Sequence, residues 1–447
     1  MALASYDTNP MKITPPPQQR AAVPGRTGLA VVASTEASVR PSVHPRTVVF
    51  AGLVSPAVAL GIGRFAFTPL LPMMLHDGVV DLPTASWLAS ANYFGYLVGA
   101  LLCTFQPWIW ARAPWLPTVR HTTWVRGGLV ATCLLTAAMA VQWPGVWPTL
   151  RFAAGVASAV TFVFTSGWCL ARLAALGQPA WAGAIYIGPG AGIAITGLMV
   201  SGMVALDWRS ATGWAVFGVL AAALVARVWP IFGGPPLVAA ASATATTAPA
   251  ASTTQQRSHP GEKALLALAY GLAGFGYIIT ATFLPVIARD VLPGSFWLDL
   301  FWPILGVGVM VGAFLSTRIP LHLDRRMLLA ACYLMQAAGI AASAWSPTVA
   351  GLFLGSLLVG LPFTAITFFA MQEARRLVVV APASFMGLIT ATYGAGQIAG
   401  PLMVPWVLQH TSSQAQGFTV SLEVAAAALV VGALLYGASA WRYPLKP

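Results

Sequence analysis

Arg64 is the residue on which chemistry is expected to turn. It stands inside the apolar run 47–75, within G-I-G-R-F-A-F-T-P-L-L-P at 61–72. An arginine at the centre of a membrane-spanning helix costs at least ~2.5 to 3.5 kcal/mol, so the side chain needs an acceptor or a water-filled space. Its planar fork can hold two oxygens of a carboxylate or phosphate at once, which points to an anion. The competing reading has Arg64 capping carbonyls freed near Pro69 or Pro72, or pairing with another protein group. Gly61 and Gly63 remove bulk beside it and would let the guanidinium face a centre between helix bundles. Tyr277 takes the corresponding place in the second half of the chain, and Asn92, Tyr93, Tyr270 and Gln397 also fall inside apolar runs. Buried amides and hydroxyls must find partners. With Arg64 these five form the candidate substrate-binding set, the alternative being that they only join helices at ~0.6 kcal/mol apiece. Tyr186 is a weaker candidate.

Other chemistries lack their residues. No Asp, Glu or His lies deep in an apolar run, so the usual intramembrane carboxylate of proton coupling is missing and the coupling ion stays open. Glu373, beside Arg375 and Arg376, reads as part of a solvated charge cluster. The six histidines are scattered, and no nucleophile, carboxylate pair or His/Asp cluster marks an enzyme. No G-x-x-x-x-G-K-[ST] cradles a nucleotide. Cys103, Cys133, Cys169 and Cys332 lie far apart without C-x-x-C spacing, and read as small packing residues. No metal or other cofactor is expected.

The elements that must position these residues are membrane helices. Of 447 residues, 58% are hydrophobic and 8% charged, against roughly 25% charged in a soluble domain. Twelve runs are long enough to cross roughly 30 Å of hydrocarbon: 47–75, 84–106, 124–142, 146–172, 180–203, 209–229, 262–289, 297–318, 327–345, 347–375, 384–409 and 418–441. The net charge of +12 forms no stripe among stacking aromatics, so nucleic acid is not indicated. With both termini cytoplasmic, 19 of the 23 Lys and Arg residues fall inside, a strong positive-inside signal. Arg151, Arg209 and Arg289 fall near outer ends of runs. A multi-pass protein of a bacterial cytoplasmic (inner) membrane is expected.

Residues 1–46, with Pro15 to Pro17 and no sustained hydrophobic periodicity, read as a disordered cytoplasmic tail. Residues 233–261 read as an Ala/Thr/Ser/Pro cytoplasmic linker between two six-helix halves, 47–232 and 262–447. The halves read as a parallel repeat. Gly61 to Pro72 matches Gly274 to Pro285 at an offset of 213, and Gly95 and Gly99 match Gly308 and Gly312. Gly188-Pro189 pairs with Gly400-Pro401 one residue short of that register. Glycines at four-residue spacing let helices approach closely, and a proline after glycine permits a bend, so both hinge and static packing are open at these sites.

The pattern resembles the major facilitator superfamily over residues 47–441. That resemblance implies an all-α integral membrane fold of twelve helices, in two six-helix bundles related by a pseudo-two-fold, rocking about a central substrate cavity. Arg151-Phe-Ala-Ala-Gly155 resembles its R-x-x-x-G motif, and Gly183 through Gly192, with Gly188 and Pro189, its glycine-proline motif. Gly312, Arg318 and Asp324-Arg325-Arg326 resemble its cytoplasmic latch, whose first-half counterpart keeps Gly99 but lacks the following aspartate. More narrowly, 61–72, S-A-N-Y-F-G-Y-L at 90–97 and Y-G-L-A-G-F-G-Y-I-I at 270–279 resemble the YbfB/YjiJ-type branch. A secondary transporter is expected, moving a small organic solute, anionic if Arg64 faces the site. Efflux of hydrophobic or cationic compounds is the alternative, and a non-transporting sensor or membrane enzyme the next. Expected partners are the solute and the lipid bilayer, for a monomer.

Overall fold

The computed structural model describes residues 44–113, 115, 119–233, 259–292, 294, 297–320, 322–378 and 382–445. The expected tail over 1–46 and linker over 233–261 lie outside the described residues except at their edges. All regular structure among the described residues is helical. The helices are α1 (Pro45–His76), α2 (Leu82–Arg112), α3 (His121–Ala138), α4 (Pro144–Ala175), α5 (Trp181–Ala205), α6 (Ser210–Gly233), α7 (Pro260–Val291), α8 (Leu298–Ser316), α9 (Arg325–Trp345), α10 (Val349–Leu377), α11 (Pro382–Gln409) and α12 (Gln414–Arg442). Ten of them, all but α3 and α11, are long and apolar enough to cross a membrane. The runs expected at 124–142 and 384–409 form helices that fall outside that set. In α3 the start, His121-Thr-Thr-Trp-Val-Arg126, is polar and the helix has only 18 residues.

Local chemistry sets the helix ends. Asp81 accepts from the Thr84 amide at 2.8 Å and Ser413 from the Gln416 amide at 3.2 Å, satisfying first-turn donors that have no partner within the helix. Between α5 and α6 the chain turns through Asp207 in the left-handed region, φ 55°, where an aspartate is tolerated because it can bond locally.

Helix pairing repeats between the halves. In the first, α4 packs on α2 and α3, α3 on α6, and α1 on α5. In the second, α10 packs on α8 and α9, α9 on α12, and α7 on α11. The halves meet where α2 lies on α11, where α5 lies on α8, and where the last part of α1 lies on α7.

The correspondence extends to single residues. A Cβ on Gly155 would collide with the backbone of Asn92, Gly95 and Tyr96; one on Gly360 would crowd Leu305, Gly308 and Val309, each 213 positions on. Gly95 and Gly99 press on Phe152 and Val156, Gly308 and Gly312 on Leu357 and Leu361, now 205 positions on. An outward groove between α3 and α6 is lined by Val130, Leu134 and Ala226. Its counterpart between α9 and α12 is lined by Leu334, Ala338 and Val430, 204 positions on. The offset drops because α2 outlasts α8: Ser316, the end of α8, corresponds to Cys103, and Thr104 to Arg112 are extra.

This register corrects the third sequence match. Gly188 packs on Leu53 and Ala57, whereas Gly400 packs on Phe275, Ile278 and Ile279, more than two turns further along α7 than those partners require. The contact equivalent of Gly192, set against Ala57 and Gly61, is Gly396, set against Gly271 and Gly274. The pairing of Gly188-Pro189 with Gly400-Pro401 is therefore fortuitous; Pro189 is buried behind Gly188, and Pro401 lies within α11.

Candidate functional site

The local backbone of α1 singles out Arg64. Residues Ala57–Ile62 form a π-turn, in which the Gly63 and Phe65 amides donate to Val58 and Leu60, both at 2.9 Å and both five residues back. Such an insertion kinks a helix and leaves carbonyls in need of donors. Arg151 of α4 supplies them, with Nη1 on Gly63 O at 3.2 Å and Nη2 on Arg64 O at 3.1 Å. Its Cζ lies 4.7 Å from the Phe67 ring centre. Asn92 of α2 donates to Arg151 O at 2.9 Å. Arg151 stands in the first turns of α4, near the end of its helix as expected, and is 2% exposed there, its guanidinium held by these two carbonyls. The carbonyl-capping reading offered for Arg64 is thus carried out by Arg151, on Gly63 and Arg64 rather than near Pro69.

Arg64 itself is 4% exposed. Its Nη2 donates to Gln397 Oε1 of α11 at 3.0 Å, and Gln397 Nε2 hydrogen-bonds the Tyr277 hydroxyl of α7. The guanidinium lies between the Tyr96 and Tyr93 rings, 4.1 and 4.9 Å from their centres. Arg64 Nε is buried without a hydrogen-bond partner, and no described carboxylate forms an ion pair with the guanidinium. Gly61 and Gly63 do not serve it. Gly61 meets Gly192 of α5 and Gly63 meets Thr132 of α3, so both permit close helix packing.

Around this centre sits an aromatic wall. Tyr270 stacks on Tyr393 at 4.5 Å and Tyr277 on Tyr393 at 5.9 Å. Phe363 meets Tyr277 edge-on at 5.0 Å and Phe65 at 6.1 Å. Tyr270 donates to Thr367 Oγ1 at 3.3 Å. Tyr186 packs on Phe162, edge-on at 6.2 Å, outside this wall. Of the residues named from sequence, Arg64, Tyr93, Tyr277 and Gln397 come together, Tyr270 joins through Tyr393, and Asn92 is committed to Arg151. Tyr96, Tyr393, Phe363 and Thr282 were missed. Helical spacing could have found the tyrosines, since Tyr96 and Tyr393 lie one turn from Tyr93 and Gln397 on the same faces.

The two ends of the site differ. Towards the end where α1 finishes, Thr68 donates to Ala281 O at 2.8 Å, Tyr93 shares a hydrogen bond with Thr282 at 2.9 Å and Ser90 donates to Ile398 O at 3.0 Å. All six residues but Ile398 are buried. Towards the opposite end Tyr96, Phe363 and Tyr393 keep partial exposure.

A charge cluster closes the second half at the end where α7 begins. Arg326, 1% exposed, meets Asp324 at 2.8 Å, Glu262 at 3.2 Å and the Tyr443 carbonyl at 2.7 Å. Arg376 pairs with Glu262 and, at 2.6 Å, with Glu373. Glu373, expected to be solvated, is 2% exposed because two guanidinium groups hold it between α9 and α10. Arg325 donates to Gln372 at 2.6 Å. Burial alone would raise the Asp324 carboxyl, but the Arg326 side-chain and backbone hydrogen bonds and the Arg326 and Arg376 charges hold it below its usual value.

Paired helices of membrane-crossing length, around a buried arginine that no described carboxylate meets, define a multi-span membrane protein. The chain belongs to the family described as uncharacterised MFS-type transporter YbfB, which matches residues 56–436. Two crystal structures of the nucleoside transporter NupG share the fold. One, of a point mutant of that transporter, has a TM-score of 0.64 at 17% identity, covering 88% of this chain and 99% of that one. The other has a TM-score of 0.61 at 18% identity, covering 90% and 100%. No curated protein matches the chain in sequence.

Proposed function

We propose that this protein is a secondary transporter of a small organic anion, held at Arg64 between two six-helix bundles that open alternately to either side of the membrane. In this reading α3 and α11 complete twelve crossings, both ends of the chain are cytoplasmic, and the membrane is a bacterial cytoplasmic one. The single observation that carries the anionic reading is the state of Arg64: a buried guanidinium whose polar partner is a neutral amide and whose Nε has none. A buried charge is normally paired, so the missing counter-charge is assigned to the solute. Tyr93, Tyr270, Tyr277 and Gln397 complete the binding set, and Asn92 acts through Arg151 on the π-turn.

The bonds of Thr68, Ser90 and Tyr93 lie on the outer side of Arg64, and the partly exposed Tyr96 and Tyr393 lie on the cytoplasmic side, so the conformation is read as open inward. The test is uptake of labelled organic acids into proteoliposomes. Wild type is expected to accumulate or exchange at least one acid, and Arg64→Ala, at equal membrane abundance, to lose it. Unchanged transport in Arg64→Ala defeats the anionic reading.

A further inference from the structure

We infer that the solute is a planar aromatic monocarboxylate, which binds by taking the place of Gln397 on Arg64 and laying its ring against the Tyr393 and Phe363 wall. The inference rests on the anionic reading of Arg64 and adds charge number, shape and the group displaced.

Charge number follows from how the cations are used. Two guanidinium groups lie close together, but Arg151 is committed to the Gly63 and Arg64 carbonyls. Arg151 Nε is likewise buried without a partner, but both Arg151 Nη groups are taken. Among the described residues near this centre, the guanidinium edge open to an anion is therefore that of Arg64: Nε, which has no partner, and Nη2, which now faces an amide oxygen. A carboxylate oxygen is the stronger acceptor for a guanidinium. A carboxylate on the Nε–Nη2 edge satisfies the orphan donor and replaces Gln397 Oε1 in one step. A second negative charge on the same solute would be placed among Tyr93, Tyr270, Tyr277 and Phe363, where no second guanidinium edge among the described residues is open, both Nη groups of Arg151 being held by carbonyls.

Shape follows from the wall. Tyr270, Tyr393 and Tyr277 form a stack of rings inclined by 25° and 19° to one another, and Phe363 stands at 78° to Tyr277. Tyr393, Phe363 and Tyr96 are the members that keep exposed surface, all on the cytoplasmic side of Arg64. A flat ring meets offset-stacking and edge-on partners together there, which aromatic pairs prefer. A saturated ring of the same size covers the same area without that term. The polar groups available to a hydroxyl-rich solute are few, since Tyr93, Thr68 and Thr282 already bond across the halves.

Displacement has a mechanical side. Gln397 links Arg64 of the first half to Tyr277 of the second, so exchange of Gln397 for the carboxylate cuts one tie between the halves at the moment the solute is seated.

The full-length protein in lipid nanodiscs would be titrated calorimetrically with benzoate, cyclohexanecarboxylate, terephthalate and benzamide. Benzoate is expected to bind about tenfold more tightly than cyclohexanecarboxylate, the upper range of an aromatic pair beyond its buried area. Terephthalate should bind more weakly than benzoate, and benzamide not at all. Arg64→Ala and Arg64→Lys should lose benzoate; Gln397→Leu should bind it more tightly, having no amide to displace. Tyr393→Leu should bring benzoate down to the level of cyclohexanecarboxylate. Equal binding of benzoate and cyclohexanecarboxylate to wild type overturns the aromatic assignment, and tighter terephthalate overturns the single charge; either leaves the anionic reading standing. Weaker benzoate binding to Gln397→Leu overturns the displacement. Absence of binding by all three carboxylates to a folded wild type overturns the anionic reading with it.

Discussion

Arg64 and Tyr277 stand 213 positions apart, each following a Gly-x-Gly, and a single amide joins them: Gln397 accepts from Arg64 Nη2 at 3.0 Å and bonds the Tyr277 hydroxyl. Thr68 and Ala281 have the same separation and touch directly through a 2.8 Å hydrogen bond. Residues equivalent in the two halves thus face each other along α1 and α7. The proposed binding centre lies where the repeat meets itself, and its two walls differ because one half places a cation there and the other a phenol.

Arg151 fixes the backbone beneath Arg64, so its loss should be felt as both instability and lost affinity. Each hydrogen bond from a charged donor contributes about 1.5–3 kcal/mol, and Arg151→Ala strips donors from two buried carbonyls. A loss of roughly 3 kcal/mol is expected, read as a lower unfolding temperature in detergent. Arg151→Lys, a point donor, can serve one carbonyl well and should fall between. Asn92→Ala should cost about 1 kcal/mol. An Arg151→Ala protein as stable as wild type would show that the π-turn carbonyls find other donors.

Thr68→Val removes one hydroxyl with little change of shape and breaks the α1–α7 bond at Ala281. Its cost, about 1 kcal/mol, falls only on the state in which these helices touch. The population open on the outer side should rise about fivefold, measured as faster labelling of a cysteine placed beyond Thr68 on α1. Unaltered labelling would mean that the bond does not distinguish the two states.

The repeat register makes a paired prediction for glycines. A Cβ on Gly95 would collide with Phe152 O, and one on Gly312 with Leu361 O; alanine at either site must push α2 from α4 or α8 from α10. Each should lower the unfolding temperature by a similar amount, equivalent to roughly 1–3 kcal/mol. Gly127 lies inside α3 with nothing within 4 Å of its Cβ position, and Gly127→Ala should stabilise by up to about 1 kcal/mol. Thermal unfolding of the three variants side by side checks this.

Much of the scaffold was legible because a lipid environment makes sequence say where helices are: apolar length marks the helices, and closely packed glycines recur at a fixed spacing. Gly95, Gly99, Gly308 and Gly312 carried the right register. Gly188 and Gly400 did not, because the nine residues Thr104–Arg112 shift the count after α2, and that shift shows only in contacts. Arg64 stood out by its cost. What it touches was not legible, since Gln397 lies 333 positions away and polar residues in membrane helices are read one at a time. The burial of Glu373 was hidden for the same reason: its partner Arg376 is nearby, but Arg326 and Glu262 arrive from other helices.

The buried charge cluster should outweigh the more exposed Arg289–Asp299 ion pair. Arg326 is 1% exposed and meets Asp324 and Glu262, whereas Arg289 and Asp299 are 26% and 22% exposed at 2.6 Å. Removing one member of a buried pair costs about 3–5 kcal/mol because the others keep uncompensated charge, while a partly exposed pair contributes about 0–1. Arg326→Ala should therefore unfold far below Arg289→Ala. Acid gives the matching sign. Asp324 is held below its usual carboxyl value of 3.8 in the folded protein, so its contribution is complete above 3.8 and is lost as pH falls through the lower folded value. Wild type should lose stability over that acid range more steeply than Asp324→Asn, which has no carboxylate to protonate. Parallel acid profiles for the two proteins would show that Asp324 titrates alike in the folded and unfolded chain, and the Arg326 contacts would then not select its charged form.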